Sequence, residues 1–316
     1  QGTRDVAYIF PMTDQAIDLN TALNFVRSND PKYKKIPGIN QALDYIPSQK
    51  LIYKVDSAAA LKSGVIKSED AGLMLKEMTI DLKDKEVLGK QELIVLDMLQ
   101  TNNWKRPIYY AVTVSPDQFV KLDGYFQQTG LAYQIVPMHT QGTDKAVNSE
   151  RMFDNVMNKF KWGGVSNPNV YLDENTMRMC KSFRMALFSK LASTLINEGK
   201  NDKALQVLDK AMEVLPAKTV PLDYSALSLG EFYFTLNQPK KAEAIFNGIA
   251  DNSIRSLRWY FRLSPNQMAS IMGDVEHNLA VLQEVLRIAK QYNPEFGKAF
   301  QEEFDNYRMA YGSVRK

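Results

Sequence analysis

A helical period that recurs once, in phase, constrains this chain more than any other feature. From Met185 onward, large and small residues fall at Phe188, Leu191-Ala192 and Leu195, then at Ala204, Leu208, Ala211 and Pro216. A second copy reads Ala226, Leu229-Gly230 and Tyr233, then Ala242, Phe246 and Ile249. Spacings of three and four place each set on one helix face. The small residues let a second helix approach, and the large ones fill the space between the two. The pattern therefore predicts helix pairs, stacked so that each covers the apolar face its neighbour leaves open. The distance from Ala204 to Ala242 is 38 residues, against about 34 for the commonest helical pair repeat. The excess belongs in the proline-bounded loop at residues 216–221.

This arrangement resembles the tetratricopeptide repeat: a bulky residue, then Leu with a small residue, then Leu or an aromatic, then Ala-x3-bulky on the second helix. The spacing predicts repeats over 185–218 and 223–256, a degenerate third over 257–292, and a capping helix over 295–311 that carries Phe296, Phe300, Phe304 and Tyr307. The phase places Ser189, Ser193 and Asn197, then Tyr224, Leu227, Glu231 and Phe234, on the groove side of the first helices. Such repeats make binding scaffolds.

The first half reads differently. Thr13 is positioned to cap a helix through Val26, and residues 28–47 form a long loop that is either functional or packed across a surface. Strands are predicted at 51–55, 78–82, 107–114 and 131–137, with a helix at 90–103 buried on most of its circumference. Ser115-Pro116-Asp117-Gln118 supplies an N-cap, a proline at the first helical position and a capping-box glutamine, so a second helix is expected to run to Gly130. Strand–helix–strand units call for crossovers, hence a small, partly parallel sheet. The fold class is therefore an α+β or α/β domain over 1–145, a connector over 146–175, and an all-α helical solenoid of the tetratricopeptide kind over 176–316.

Composition excludes some functions. A chain of 316 residues with 45% hydrophobic and 24% charged residues suits two globular domains, and a net charge of +3 gives no case for nucleic acid. The single cysteine, Cys180, permits neither an internal disulfide nor a multi-cysteine metal site. No run of about 18 apolar residues is present to span a membrane. Gln1-Gly2-Thr3-Arg4-Asp5 lacks an initiating Met and reads as the cut end of something longer, whose targeting or membrane portion has been removed.

Residues that carry chemistry are sparse. His139 and His277 fall in different predicted domains, without a carboxylate or Cys at metal-ligand spacing, so no metal and no cofactor is expected. There is no nucleophile elbow, dinucleotide fingerprint or Walker loop. Asp81, Asp84, Glu86, Asp97 and Asp123 are read as solvated, so no catalytic residue is assigned. Asn102-Asn103-Trp104-Lys105-Arg106-Pro107 has two readings: a left-handed Asn cap with Trp104 in the core, or a recognition patch built on Trp104 and Arg106. Arg255, Arg258 and Arg262 share one helix face beside Trp259, either solvated or, through Arg258 and Arg262, a partner site. Lys159-Phe160-Lys161-Trp162 mixes cations and aromatics, and the aromatics are assigned to domain packing.

Residues 102–111, 130–137 and 151–164 together resemble a family. It is the soluble C-terminal region of multi-pass membrane proteins from Bacteroidetes, a domain-of-unknown-function family similar to transmembrane protein O-mannosyltransferases, which use a lipid-linked sugar donor. The resemblance implies a non-catalytic, extracytoplasmic accessory domain on the periplasmic face of the inner membrane, tied to the membrane only through an absent transmembrane portion. Its partner would be a protein or peptide, either an acceptor polypeptide or another envelope protein. The catalytic carboxylate of such enzymes lies in the membrane portion, so none is carried onto this chain. Two alternatives stand beside this reading: an independent enzyme with its site between the α/β sheet and the helical domain, and a purely structural adaptor.

Overall fold

The computed structural model describes residues 6–314. Gln1–Asp5, read above as a cut end, lie outside the described residues. The chain divides between Asn148 and Ser149 into two compact units.

The first unit is α+β. In order it contains β1 (Val6–Ile9), β2 (Ile17–Asp18), α1 (Leu19–Arg27), β3 (Tyr45–Ile46), β4 (Lys50–Lys54), α2 (Ser57–Lys62), β5 (Glu77–Asp81), β6 (Val87–Gly89), α3 (Lys90–Asn102), β7 (Tyr109–Ala111), β8 (Phe126–Gln128) and β9 (Ala132–Ile135). The strands form three small sheets, ordered β3-β1-β6, β2-β4-β5 and β7-β9-β8. The parallel pairs are β1 with β3 and β2 with β4, while the pairs β4–β5, β7–β9 and β8–β9 are antiparallel. Each parallel pair therefore draws in a strand from before residue 51 (β1 with β3, and β2 onto β4), and the named strand pairs lying wholly within 50–137 are antiparallel in place of the expected crossovers.

Helix α1 starts later than its polar lead-in suggests. Ile17 and Asp18 first pair with Leu51 and Ile52, and Asp18 then caps the helix by accepting from the Thr21 amide. The helix expected after Ser115 stops after one 3-10 turn, Pro116–Gln118. Val120 and Lys121 both adopt left-handed backbone (φ 54° and 57°), which no helix continues through. The turn carries Phe119, Val120 and Leu122 into the core and leaves β8 free to pair with β9, so strand pairing overrides the local cap signal.

Helix α3 opens on a capping arrangement, with the Glu92 carboxylate accepting from the Gly89 amide at 2.8 Å and pairing with Lys85. Leu96 and Leu99 are buried, but Ile94 and Met98 are half exposed. The helix therefore packs by one face rather than around most of its circumference. It ends at Asn103 in the left-handed conformation (φ 42°). Trp104 follows into the core, which also takes in Leu51, Met78, Ile80, Leu88 and Ile135.

The second unit is helical. It comprises α4 (Ser149–Asp154), continued by a π turn at Asn155–Lys159; α5 (Glu174–Phe183), a π turn at Arg184–Ser189 and α6 (Lys190–Asn197); α7 (Asn201–Val214); α8 (Leu227–Thr235); α9 (Pro239–Tyr260); α10 (Pro265–Ser270); α11 (Met272–Tyr292) and α12 (Pro294–Val314). The stretch expected as a connector contributes to this unit's packing. Ser149 donates to Glu198 at 2.8 Å, and the Trp162 ring stacks on Phe188 with centroids 5.2 Å apart.

Every residue of the recurring pattern from Phe188 to Ala211, and from Ala226 to Ile249, is buried. The turns repeat as well. Gly199 (φ 71°) ends α6 and Asn237 (φ 56°) ends α8, also 38 residues apart. Lys200 and Gln238 each donate an amide, at 2.8 Å, to the carbonyls of Leu195 and Tyr233. Beyond this the boundaries differ from those expected. The apolar face of α9 continues through Ile254 and Leu257, so the helix runs through residue 256 to Tyr260. The third long pair is then α11 with α12 rather than two helices within 257–292. Gly297 lets these two close together, since a methyl group there would lie 3.1 Å from the Ala289 side chain.

The loop between α7 and α8 is held by Arg184, which is completely buried. Its guanidinium donates to the carbonyls of Pro221 (2.8 Å), Leu215 (3.0 Å) and Val220. Burial lowers its pKa, against the nearby Asp223 carboxylate.

Candidate functional site

The strongest candidate lies along α8, where four expected groove residues fall on or beside one helix. Asp223 first fixes the helix entry. Its carboxylate accepts from the Ser225 amide (3.0 Å) and hydroxyl (2.6 Å) and pairs with Lys181 at 2.7 Å. Burial works to raise its pKa, but the hydrogen bonds from Lys181 and Ser225 outweigh it and hold the acid below the usual carboxylate range. Tyr224, next in sequence, is 42% exposed. Leu227 and Glu231 follow, both half-buried.

Helix α11 supplies the facing residues, which sequence reasoning missed. His277 packs edge-on against Tyr224, with ring centroids 5.2 Å apart. Arg287 lies 3.9 Å from Glu231 and forks onto Glu284 at 2.8–3.0 Å. That fork raises the arginine's pKa and lowers the glutamate's. Tyr292 stacks flat on Phe234, 5.0 Å away and within 2° of parallel. Phe234 also stacks on Phe246 at 5.7 Å, so it is clamped between two rings and works as packing rather than as a free contact. The third pair has lost the repeat consensus, so only the aromatic ending of α11 could have pointed to this wall.

The other expected contacts divide. Ser193 is half-buried and Asn197 exposed, but Ser189 is buried and its hydroxyl has no hydrogen-bond partner among the described residues. Ser189 is the last residue of the π turn Arg184–Ser189, outside the regular winding of α6 that carries Ser193 and Asn197. Trp104 is 3% exposed and stacks on Tyr53 (5.4 Å, 19°), whose hydroxyl donates to the Leu99 carbonyl. Of the two readings of that segment the core one holds, and Trp104 is not a surface contact. Arg106 is exposed, with its carbonyl held by the Asn102 amide at 2.7 Å. Arg258 and Arg262 are exposed at and just beyond the end of α9, a helix that does not carry the α8 residues.

The α8–α11 strip offers an exposed phenol and imidazole, a half-buried leucine, and a carboxylate shared with a guanidinium. Such a surface can stack on side chains and hydrogen-bond to them over about two helical turns. Among the described residues, no group of three or more His, Cys, Asp or Glu is placed to hold a metal ion, and no helix is long and apolar enough to cross a membrane.

Residues 1–155 match the family model described as TMEM260-associated domain 2. The match spans the α+β unit and α4, and leaves α5 to α12 outside it. No curated protein and no solved structure matches the chain.

Proposed function

We propose that this chain is a non-catalytic accessory region of a glycosyltransferase-like membrane protein, placed outside the cytoplasm on the periplasmic face of the inner membrane. Its helical unit is a tetratricopeptide-like array that binds or positions a polypeptide, either an acceptor or an envelope partner. The observation that carries the context is the likeness of residues 1–155 to a TMEM260-associated domain. Support for the array comes from the buried small–large pattern and from the left-handed turns at Gly199 and Asn237, which recur 38 residues apart. The exposed Tyr224 and the Glu231–Arg287 pair supply a face fitted to side chains.

The test uses the whole chain against an immobilised set of unstructured peptides drawn from extracytoplasmic proteins. Wild type is expected to retain a subset, and Tyr224→Ala and Glu231→Gln to release it with unchanged circular dichroism. Retention that is indifferent to both substitutions would move the binding face elsewhere, and no retention at all would sink the reading.

A further inference from the structure

Helices α9 and α12 enclose a cleft of about 360 Å³, within the range of small-ligand sites. Ile254, Ala299 and Phe300 form its apolar floor, and Arg255 and Arg258 stand at its wall. The two arginines occupy positions i and i+3 of α9 and are both exposed. Arg258 donates to the Tyr307 hydroxyl and reaches Glu303 at 3.4 Å, longer than the ~2.7–2.9 Å of a tight charge-assisted bond, so an incoming oxyanion competes with a phenol and a long carboxylate contact. Arg255 has no side-chain partner among the described residues. Beside them Trp259 is 57% exposed, and Arg262 extends the basic face past the helix end.

A guanidinium pair over an apolar floor recognises an oxyanion joined to an apolar body. The charges decide what kind. Asp251 and Glu303 also line the cleft, so two carboxylates offset two guanidiniums and the field alone draws a bare anion weakly. Affinity has to come from fork geometry together with apolar burial, which favours an amphiphile over free phosphate. An exposed indole next to arginines is the composition that settles at a membrane–water interface. We propose that this cleft docks the phosphate of an anionic phospholipid, with Arg255 and Arg258 on the phosphate oxygens and Trp259 at the headgroup level. The site stands apart from the α8–α11 face and does not rest on the polypeptide reading.

Flotation of the whole chain with vesicles tests it. Binding is expected to phosphatidylcholine vesicles containing phosphatidylglycerol, and not to phosphatidylcholine alone. The double variant Arg255→Gln/Arg258→Gln should partition about thirty-fold more weakly, the loss two basic residues carry at an anionic surface. Trp259→Ser should also weaken binding, whereas Lys218→Gln/Lys240→Gln, which removes two exposed cations elsewhere in the unit, should leave it unchanged. Equal losses in both double variants would show unspecific charge attraction and overturn the proposal. So would binding indifferent to Arg255 and Arg258, or no vesicle binding. In a parallel arm, inorganic phosphate that raises the melting temperature of wild type but not of the arginine variant, without vesicle binding, would replace the lipid by a soluble phosphate.

Discussion

A methyl group added at residue 230 would lie 2.8 Å from two carbons of the Phe246 ring, closer than carbon atoms approach unless something moves. Alanine gains about 1 kcal/mol over glycine in a helix interior, but overpacking a core costs about 1–3 kcal/mol. The clash should therefore win, and Gly230→Ala should lower the urea midpoint. Adding Phe246→Leu should recover part of the loss, whereas additive losses would show that the ring is not the obstacle. Tyr224 and Phe234 make a second contrast at this scale. Tyr224→Ala should change stability by less than about 1 kcal/mol, while Phe234→Ala, which removes a ring held between Phe246 and Tyr292, should cost about 3 kcal/mol by urea denaturation. Spacing alone gives both residues the same role, because it reports which face a side chain takes and not what a later helix lays over it. Trp104 shows the same limit: its sequence neighbours suit a cap or a contact, and only the Tyr53 ring, 51 positions earlier, decides.

Among the elements, the helices of the second unit were the most legible, because their core positions recur every three to four residues and then again after 38. What escaped was phase across the π turn at Arg184–Ser189 and the passage of α9 through residue 256, neither of which leaves a mark on the period. The short strands were harder. Two to five residues give little alternation to read, and their register is set by partners far away in sequence, as when Ile17 pairs with Leu51. Between α7 and α8, Asp223 gives its turn a pH dependence. Its folded pKa lies below the unfolded value of about 3.9, so its contribution to stability is present above that pH and lost as the pH falls through the folded value. The stability gap between wild type and Asp223→Asn should therefore be constant from about pH 5 to 7 and narrow on acidification below about 4. Urea titrations across that range measure it, and a gap independent of pH would mean that the Lys181 pair contributes nothing.

At the scale of the whole molecule, each unit has its own buried core, and the break falls between Asn148 and Ser149. Residues 1–148 and 149–316 expressed apart should each give a cooperative melt with the circular dichroism expected of α+β and helical chains respectively. A fragment that melts without cooperativity would show that its core needs the other unit.

Arg184 gives the helical unit a further property, one of exchangeability. Stacked helix pairs are often treated as modules that can be removed, duplicated or traded between proteins. Here the residues that lengthen the period past about 34 are not a neutral spacer, because three of the carbonyls around them are the acceptors of a buried cation on an earlier helix. Trimming that loop to the shorter length would strand a guanidinium in the core, at a cost of about 3–5 kcal/mol, while replacing Arg184 alone would leave the carbonyls unmet. Loop and arginine can be inherited or engineered only together, so the first two helix pairs form one unit of exchange rather than two.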